Sequence, residues 1–286
     1  MSPAELLQQW LAARLDAAGR DWLDSAVAAL RGPNAERELY RSVSLVSRKL
    51  GKEPLALDRA ALAAADAARR GWDPSAWTLD QAARVRLLLA TGDAGETFAR
   101  RLDQLCATAD LDELVAFYSG LPLYPDAPRH RLRAAEGVRS NKRVVFEAVV
   151  HRNPYPAEQL AEDAWNQMVL KALFVGAALD PIVGLDRRAN ATLARMLCDY
   201  AHERWAARRA VSPELWRCVG PFASGERVAD LARVLDGGTP AERAAAALAL
   251  YRAPTAEARA LLERHGALRD AVATGAVTWS SVLDAA

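Results

Sequence analysis

The sequence has few residues that could build a disulfide framework or a metal site. Among 286 residues there are 3 Cys and 4 His. Cys106, Cys198 and Cys218 form no CxxC pair, and a small odd number of cysteines is typical of a reduced, cytosolic protein whose thiols act as small apolar residues. His202-Glu203 lacks the second histidine of an HExxH zinc site. We therefore expect no metal site and no cofactor.

A strong net charge, a long apolar run and a signal peptide are also missing. The formal net charge is +1, so no domain-wide positive field is present to attract nucleic acid. The least polar stretch, residues 168–179, includes Lys171 and is much shorter than the ~20 residues that span a bilayer. The N-terminus has no basic head followed by an apolar segment. We expect a cytoplasmic protein without a membrane-spanning segment.

Strand signals are absent as well, because Val and Ile are sparse and no segment alternates with a period of two for long. The abundant residues are Ala, Leu and Arg, within a hydrophobic fraction of 51% and a charged fraction of 26%. Nearly every segment repeats its apolar residues with the period of an amphipathic helix. Short helices joined by Gly/Pro corners predict an all-α fold, in which helical hairpins stack in a solenoid-like (HEAT-like) array.

Local signals predict several boundaries. The clearest is a capping box in which Thr239 is the N-cap, Pro240 the first helical residue and Glu242 the reciprocal partner. A break between the first two helices is expected near Gly19. The prolines that follow residue 121 predict an exposed connector. We divide the chain, as parts of one continuous domain, into an N-terminal helical region (1–128), a central helical core (129–222) and C-terminal HEAT-like hairpins (223–286).

Polar side chains interrupt the apolar stripes of the central core. On a helix beginning near Pro156, positions 163, 166, 167 and 170 share one face, so Asp163, Asn166 and Gln167 are neighbours. Lys171 follows one turn after Gln167. We predict that these polar groups either bond within the fold or face a ligand.

The next helix carries a second mixed stripe, and it is formed by Asn190, Leu193, Leu197, Arg204 and Arg208. His202 and Glu203 flank it. Asp186 lies at the preceding corner, where a carboxylate can cap the new helix; alternatively its charge orients Lys171 or Arg204 towards a ligand. The candidate binding residues are His151, Asn153, Asp163, Asn166, Gln167, Lys171, Asp186, Asn190, His202, Glu203, Arg204 and Arg208.

Two interpretations of this polar set remain open. In the first, Asp163, Lys171, Asn190 and Arg204 bond one another and backbone carbonyls, and fix one register of the hairpin. In the second, Lys171 and Arg204 face a cleft and bind a polar or anionic ligand. The sequence contains no complete catalytic motif such as GxSxG or GxxxxGK[ST], so no catalytic residue is assigned.

Three segments of the central core carry a family resemblance. They are Asp163-Ala164-Trp165-Asn166-Gln167-Met168-Val169-Leu170-Lys171-Ala172-Leu173-Phe174, Gly184-Leu185-Asp186-Arg187-Arg188-Ala189-Asn190, and Tyr200 to Arg209 followed by Leu215-Trp216-Arg217. Together they resemble the EboA family of bacterial proteins, specifically over residues 144–222. Both ends resemble that family only as alanine-rich helical sequence.

The resemblance implies a small operon associated with secondary metabolism and with moving a precursor across the inner membrane. Its other products look like a membrane prenyltransferase, a TatD-like metal hydrolase, a sugar-isomerase-like barrel and a dehydroquinate-synthase-like protein. Together with the all-α build and the lack of a complete catalytic motif, this operon favours a non-catalytic adaptor or binding component, with those proteins and a small-molecule ligand as expected partners. The alternative is an enzyme that acts on a lipid-linked or aromatic small molecule, with Asp163, Lys171, His202 and Glu203 in its pocket.

Overall fold

The computed structural model describes residues 1–284, and the regular secondary structure in this range is helical. It contains eighteen α-helices and four short 3-10 turns, and an isolated β-bridge joins Pro54 to Thr78. The prediction of an all-α fold is confirmed. The stacking of hairpins in a solenoid-like array and the division into regions at residues 128 and 222 stay predictions.

The chain folds into two compact units that meet in sequence between Ala161 and Glu162. The first unit contains ten α-helices: α1 (Pro3–Arg14), α2 (Ala17–Ala29), α3 (Ala35–Leu50), α4 (Arg59–Ala68), α5 (Leu79–Ala90), α6 (Gly95–Thr108), α7 (Leu111–Ser119), α8 (Arg131–Arg139), α9 (Arg143–Val150) and α10 (Tyr155–Gln159). Along the described part of the second unit there are eight: α11 (Glu162–Val175), α12 (Ala191–Ala206), α13 (Trp216–Val219), α14 (Glu226–Gly237), α15 (Pro240–Tyr251), α16 (Ala256–Glu263), α17 (Gly266–Ala273) and α18 (Trp279–Asp284). Across residues 1–284, no helix has both the length and the apolar character of a membrane-spanning segment.

The first unit is packed around aromatic rings and one buried ion pair. The Trp72 ring lies 5.6 Å from that of Trp10 and 5.7 Å from that of Trp77, measured between centroids. Arg84 is 2% exposed, and its Nη1 donates to Asp80 Oδ2 over 2.6 Å along α5. A buried guanidinium requires such a partner, because an unpaired one would strongly destabilise the fold.

Two boundary predictions in the first unit are wrong. Gly19 lies inside α2, because Asp16 caps that helix by accepting a hydrogen bond from Gly19 N at 2.7 Å. The proline-rich connector is not fully exposed, since Pro122 is buried within the 3-10 turn Leu121–Leu123. A second turn, Ala127–His130, follows it. Proline is compatible with the first residues of such turns because its missing N–H needs no partner there.

The second unit begins with the two helices that carry most of the candidate residues. α11 starts at Glu162 rather than near Pro156, because the separate short helix α10 ends at Gln159. The apolar residues of each helix recur with the helical period and are buried: Trp165, Met168, Val169, Ala172 and Leu173 in α11, and Leu193, Ala194, Leu197, Cys198 and Ala201 in α12. The opposite faces of both helices therefore remain available to solvent.

The C-terminal helices of the second unit pack around α15. The predicted capping box is confirmed: Thr239 N donates to Glu242 Oε2 at 2.7 Å, and Glu242 N donates to Thr239 Oγ1 at 3.3 Å. α13 packs on α15, and the chain approaches α15 so closely at Gly220, just after α13, that a Cβ added there would lie 2.5 Å from the Ala249 carbonyl oxygen. Only glycine permits this approach of two backbones.

Candidate functional site

Asn166 and Asn190 join α11 to the start of α12 by a reciprocal pair of amide hydrogen bonds. Asn190 Nδ2 donates to Asn166 Oδ1 over 2.8 Å, and Asn166 Nδ2 donates to Asn190 Oδ1 over 3.3 Å. Asn190 Oδ1 also accepts from Leu193 N at 2.8 Å, so Asn190 is the N-cap of α12 and precedes the stripe predicted for it. Asn166 is 1% exposed, and these bonds satisfy an amide that would be costly to bury alone.

Asp186 does not cap α12, because Asn190 occupies the cap position immediately before the helix. Asp186 instead accepts from Arg217 Nε at 2.9 Å and Nη2 at 3.1 Å, while Arg252 Nη1 lies 3.1 Å from its Oδ1. Arg217 Nη1 also donates to Asp180 Oδ1 at 2.7 Å. We name Asp180, Asp186, Arg217 and Arg252 the corner cluster. Asp186 therefore forms ion pairs in place of the predicted cap, and the Arg204 side chain donates to the Ala210 carbonyl oxygen.

The pKa values of two carboxyl groups at this corner are shifted in opposite directions. Burial alone would raise the pKa of Asp186, but the hydrogen bonds and positive charges of Arg217 and Arg252 outweigh it, and the pKa is lowered. Glu214 is 5% exposed and accepts from Leu179 N at 2.8 Å and Asp180 N at 2.7 Å. Burial raises the pKa of Glu214 despite these two bonds. The sequence does not predict the bonds that Glu214 and Arg217 form at this corner.

His202 and Asp163 do not join the other candidates. His202 Nε2 lies 2.7 Å from Asp230 Oδ1 of α14, and its ring centroid is 5.7 Å from that of Trp205. Asp163 is exposed in the first turn of α11, where its charge suits the helix dipole. The first interpretation is wrong for Asp163, which is exposed, but Asn190 and Arg204 each donate to a backbone carbonyl as it expects. Asn190 Nδ2 donates to Arg188 O at 3.2 Å, and Arg204 Nε donates to Ala210 O at 2.9 Å.

His151 and Asn153 lie in the first unit. Asn153 is 2% exposed; its Nδ2 donates to Tyr118 O at 3.1 Å and Ala148 O at 3.2 Å, and its Oδ1 accepts from Tyr155 N at 3.0 Å. These bonds satisfy its polar atoms within the unit and link α9 to α10. His151 is half-buried and ends α9, with its N–H bonded to Glu147 O at 2.8 Å.

A cleft of about 410 Å³ lies between the outer faces of α11 and α12. Its walls are two matching stripes, each spaced i, i+3, i+4 and i+7 and hence on one side of its helix. The lining residues are Gln167, Leu170, Lys171 and Phe174 of α11, Tyr200, Glu203, Arg204 and Ala207 at α12 and its C-cap, and Arg209 beyond the cap. Phe174 is 76% exposed, although large aromatic side chains usually bury most of their surface.

Positive charge predominates along the cleft, which is lined by Lys171, Arg204 and Arg209 but only one carboxylate, Glu203. The Arg204 guanidinium lies 5.9 Å from the centroid of the Tyr200 ring, and its Nε donates to the Ala210 carbonyl oxygen at 2.9 Å. Burial lowers the pKa of Lys171. The arrangement combines an apolar surface with cationic hydrogen-bond donors.

A tight turn at the end of α12 brings Arg209 to the cleft. Arg208 N donates to Trp205 O at 3.0 Å and Arg209 N donates to Arg204 O at 2.8 Å, which is the bond pattern of a Schellman motif. Arg208 has φ +55°, the left-handed conformation that glycine usually supplies at this position. The predicted candidate Arg208 therefore forms the turn and does not line the cleft, while Arg209, which was not a candidate, does.

The described residues offer little for metal or thiol chemistry. No group of three His, Cys, Asp or Glu side chains among them is arranged to hold a metal ion. Burial raises the pKa of the Cys106, Cys198 and Cys218 thiols to about 12, so these cysteines are protonated at neutral pH and are poor nucleophiles.

Of the four residues that the enzyme alternative places in one pocket, Lys171 and Glu203 line the cleft, and Asp163 and His202 do not. No curated protein and no solved structure matches the chain significantly. The family model for the metabolite traffic protein EboA matches residues 3–220, a span that includes both helices of the cleft. The chain therefore belongs to the EboA family.

Proposed function

We propose that this chain is a non-catalytic binding component in metabolite traffic, and that the cleft between α11 and α12 holds the metabolite. The family description supplies the general role. The observation that carries the proposal is the cleft itself, in which an aromatic ring that is 76% exposed lies beside cationic side chains. A cavity volume of 410 Å³ falls within the range typical of small-molecule sites.

The proposal extends to partner proteins. The operon that the family resemblance implies includes a membrane prenyltransferase-like protein, and an adaptor would bind the metabolite and present it to such a partner. Helical arrays offer extended surfaces for protein partners, and the predicted stacking of hairpins would provide such a surface. In this proposal the chain contacts the inner membrane only through its partners and acts in the cytoplasm.

Metabolite capture tests the binding role. The purified protein is incubated with a small-molecule extract of cells that express the operon, desalted and denatured, and the released compounds are identified by mass spectrometry. Ala207→Trp is the blocking variant, because Ala207 is exposed and lines the cleft. Ala191→Trp is the matched control, since Ala191 is an exposed alanine at the other end of α12 and does not line the cleft.

We expect one compound to be retained by the wild type and by Ala191→Trp. The amount retained by Ala207→Trp should be at least about tenfold lower, because an indole would occupy the site. Retention of the same compounds by all three proteins would contradict binding in the cleft.

Co-purification tests the adaptor role. The tagged chain is expressed with the other operon products, including the membrane prenyltransferase-like protein, and is isolated in mild detergent. We expect at least one product to be recovered in a stable ratio with the tagged chain. Failure of every pairwise combination, with the membrane component present, would leave a metabolite-binding protein that is not an adaptor.

An enzyme acting on a lipid-linked or aromatic small molecule is the second candidate, since Lys171 and Glu203 line one cleft. Burial lowers the pKa of Lys171, so its ammonium group loses a proton more readily and is better suited to act as a general base. The captured compound distinguishes the two functions. A carrier releases it unchanged after prolonged incubation, whereas an enzyme converts it to a product, and Lys171→Met abolishes that conversion.

A further inference from the structure

We infer that the cleft selects small molecules that combine an apolar ring system with an anionic group, such as an aromatic carboxylate. This inference rests on the proposed function and names the class of ligand that the site would take. It depends on three features of the described residues: the apolar wall, the excess of cations, and the turn that positions the second arginine.

The apolar wall is formed by one exposed ring and its neighbours. Phe174 is 76% exposed, Leu170 lies one turn before it, and the Tyr200 ring faces the cleft from α12. Covering apolar surface stabilises a complex by roughly 25 cal/mol per Å². An aromatic ligand placed against Phe174 would bury most of the exposed surface of that ring and would stabilise the complex accordingly. A fully polar ligand would gain none of this.

The two arginines of the cleft form no salt bridge within the described part of the chain. Arg204 and Arg209 have no acidic partner within salt-bridge distance among the described residues, and the only hydrogen bond that the Arg204 side chain donates in this range comes from Nε to a backbone carbonyl. A guanidinium presents its remaining N–H groups in a planar fork that matches a carboxylate or phosphate. Glu203 is the single carboxylate against three cations, which leaves a formal charge of +2 on the lining.

The turn after α12 fixes the second arginine close to the first. The bond from Arg209 N to Arg204 O folds the chain back over the end of the helix. Arg208 adopts the left-handed conformation at this turn, which for a residue other than glycine costs about 1 kcal/mol. The backbone therefore brings both arginines to the lining of the cleft without an acidic side chain to bind them.

Three naphthalene probes of similar size test the charge preference: 2-naphthoate, 2-naphthalenemethanol and 2-naphthylmethylammonium. Their affinities are measured by calorimetry with the wild type, Arg209→Gln and Ala207→Trp. Arg195→Gln is the matched control, because Arg195 is exposed on α12 and does not line the cleft. We expect the wild type to bind the anion about fivefold more tightly than the alcohol and to bind the ammonium most weakly.

We expect Arg209→Gln to reduce binding of the anion two- to fivefold, to leave the alcohol unchanged, and to weaken the salt dependence of anion binding. Equal affinities for all three probes, blocked by Ala207→Trp, would overturn the charge preference and leave the proposed binding site intact. Anion binding that survives Ala207→Trp would overturn both. Co-sedimentation with phosphatidylglycerol vesicles that requires Arg209, with no binding of 2-naphthoate, would overturn the inference in favour of a lipid surface.

Discussion

The corner cluster and the cleft contain the same types of charged residue and use them differently. In the corner cluster, Arg217 donates to Asp180 and Asp186, so its binding capacity is used within the chain. In the cleft, Arg204 and Arg209 have no acidic partner among the described residues. An arginine whose carboxylates are supplied by the fold contributes to stability, whereas one that lacks them can bind an external anion. The difference predicts which substitutions affect folding and which affect binding.

Arg217→Met should have the largest effect on stability. The Arg217 side chain is 16% exposed, and its loss leaves Asp180 without its cation and Asp186 with Arg252 alone. We expect a loss of about 3 kcal/mol in the free energy of unfolding, measured by urea denaturation. The same change at Arg209 should shift it by less than about 0.5 kcal/mol. Similar losses at both positions would remove the distinction between the two regions.

Asn190→Ala should have the second-largest effect on stability. It removes both the cap of α12 and the amide pair with Asn166, and we expect about 2 kcal/mol of destabilisation by thermal or urea unfolding. Asn190→Asp separates the two contributions, because an aspartate still caps the helix but cannot donate to Asn166 Oδ1. An unchanged unfolding midpoint for Asn190→Ala would show that neither interaction contributes.

Asp186→Asn should cost about 1 kcal/mol at neutral pH, since the bidentate ion pair with Arg217 is partly exposed. The pKa of Asp186 is lowered by folding, so its contribution is present above the ordinary aspartate value of 3.8 and is lost as pH falls through the lower folded value. The measurement is the difference in unfolding free energy between wild type and variant from pH 7 downwards. A difference that stays constant to pH 2 would contradict an ionised Asp186 in the corner cluster.

Arg208→Gly should have the smallest effect and the opposite sign. Glycine adopts the left-handed conformation of this turn without strain, which should raise stability by about 0.5 kcal/mol after the entropy of the unfolded chain is considered. Binding of 2-naphthoate should be unchanged, because the turn still brings Arg209 to the cleft. A loss of binding with unchanged stability would show that the Arg208 side chain itself contacts the ligand.

Local signals in the sequence predicted local structure well. The capping box at Thr239 and Glu242 was correct because both partners lie within four residues and no other part of the chain competes for them. The glycine signal at Gly19 is misleading, because glycine often ends helices but here Asp16 supplies a stronger start signal. The helical period also identified one side of the cleft, since Gln167 and Lys171 lie on its wall.

The rest depended on partners that are distant in sequence. Arg217 meets Asp186 across 31 positions, and Glu214 meets Leu179 across 35, and no spacing rule relates such pairs. The helical period places Asn166 and Gln167 on one face, but Asn166 is buried and Gln167 is exposed. Adjacent helical positions near the edge of a stripe cannot be assigned to a side from the sequence. Arg209 was not identified because its position depends on the turn after the helix.

The contact between Gly220 and Ala249 determines where this protein can be truncated. The family match ends at residue 220, where the backbone just after α13 approaches that of α15. A fragment that stops there would lose the helix against which Trp216 and its neighbours pack, together with Arg252, a counter-ion of Asp186. The limit of sequence similarity is therefore not a folding boundary. Shortened versions for crystallisation or binding assays should retain α14 and α15.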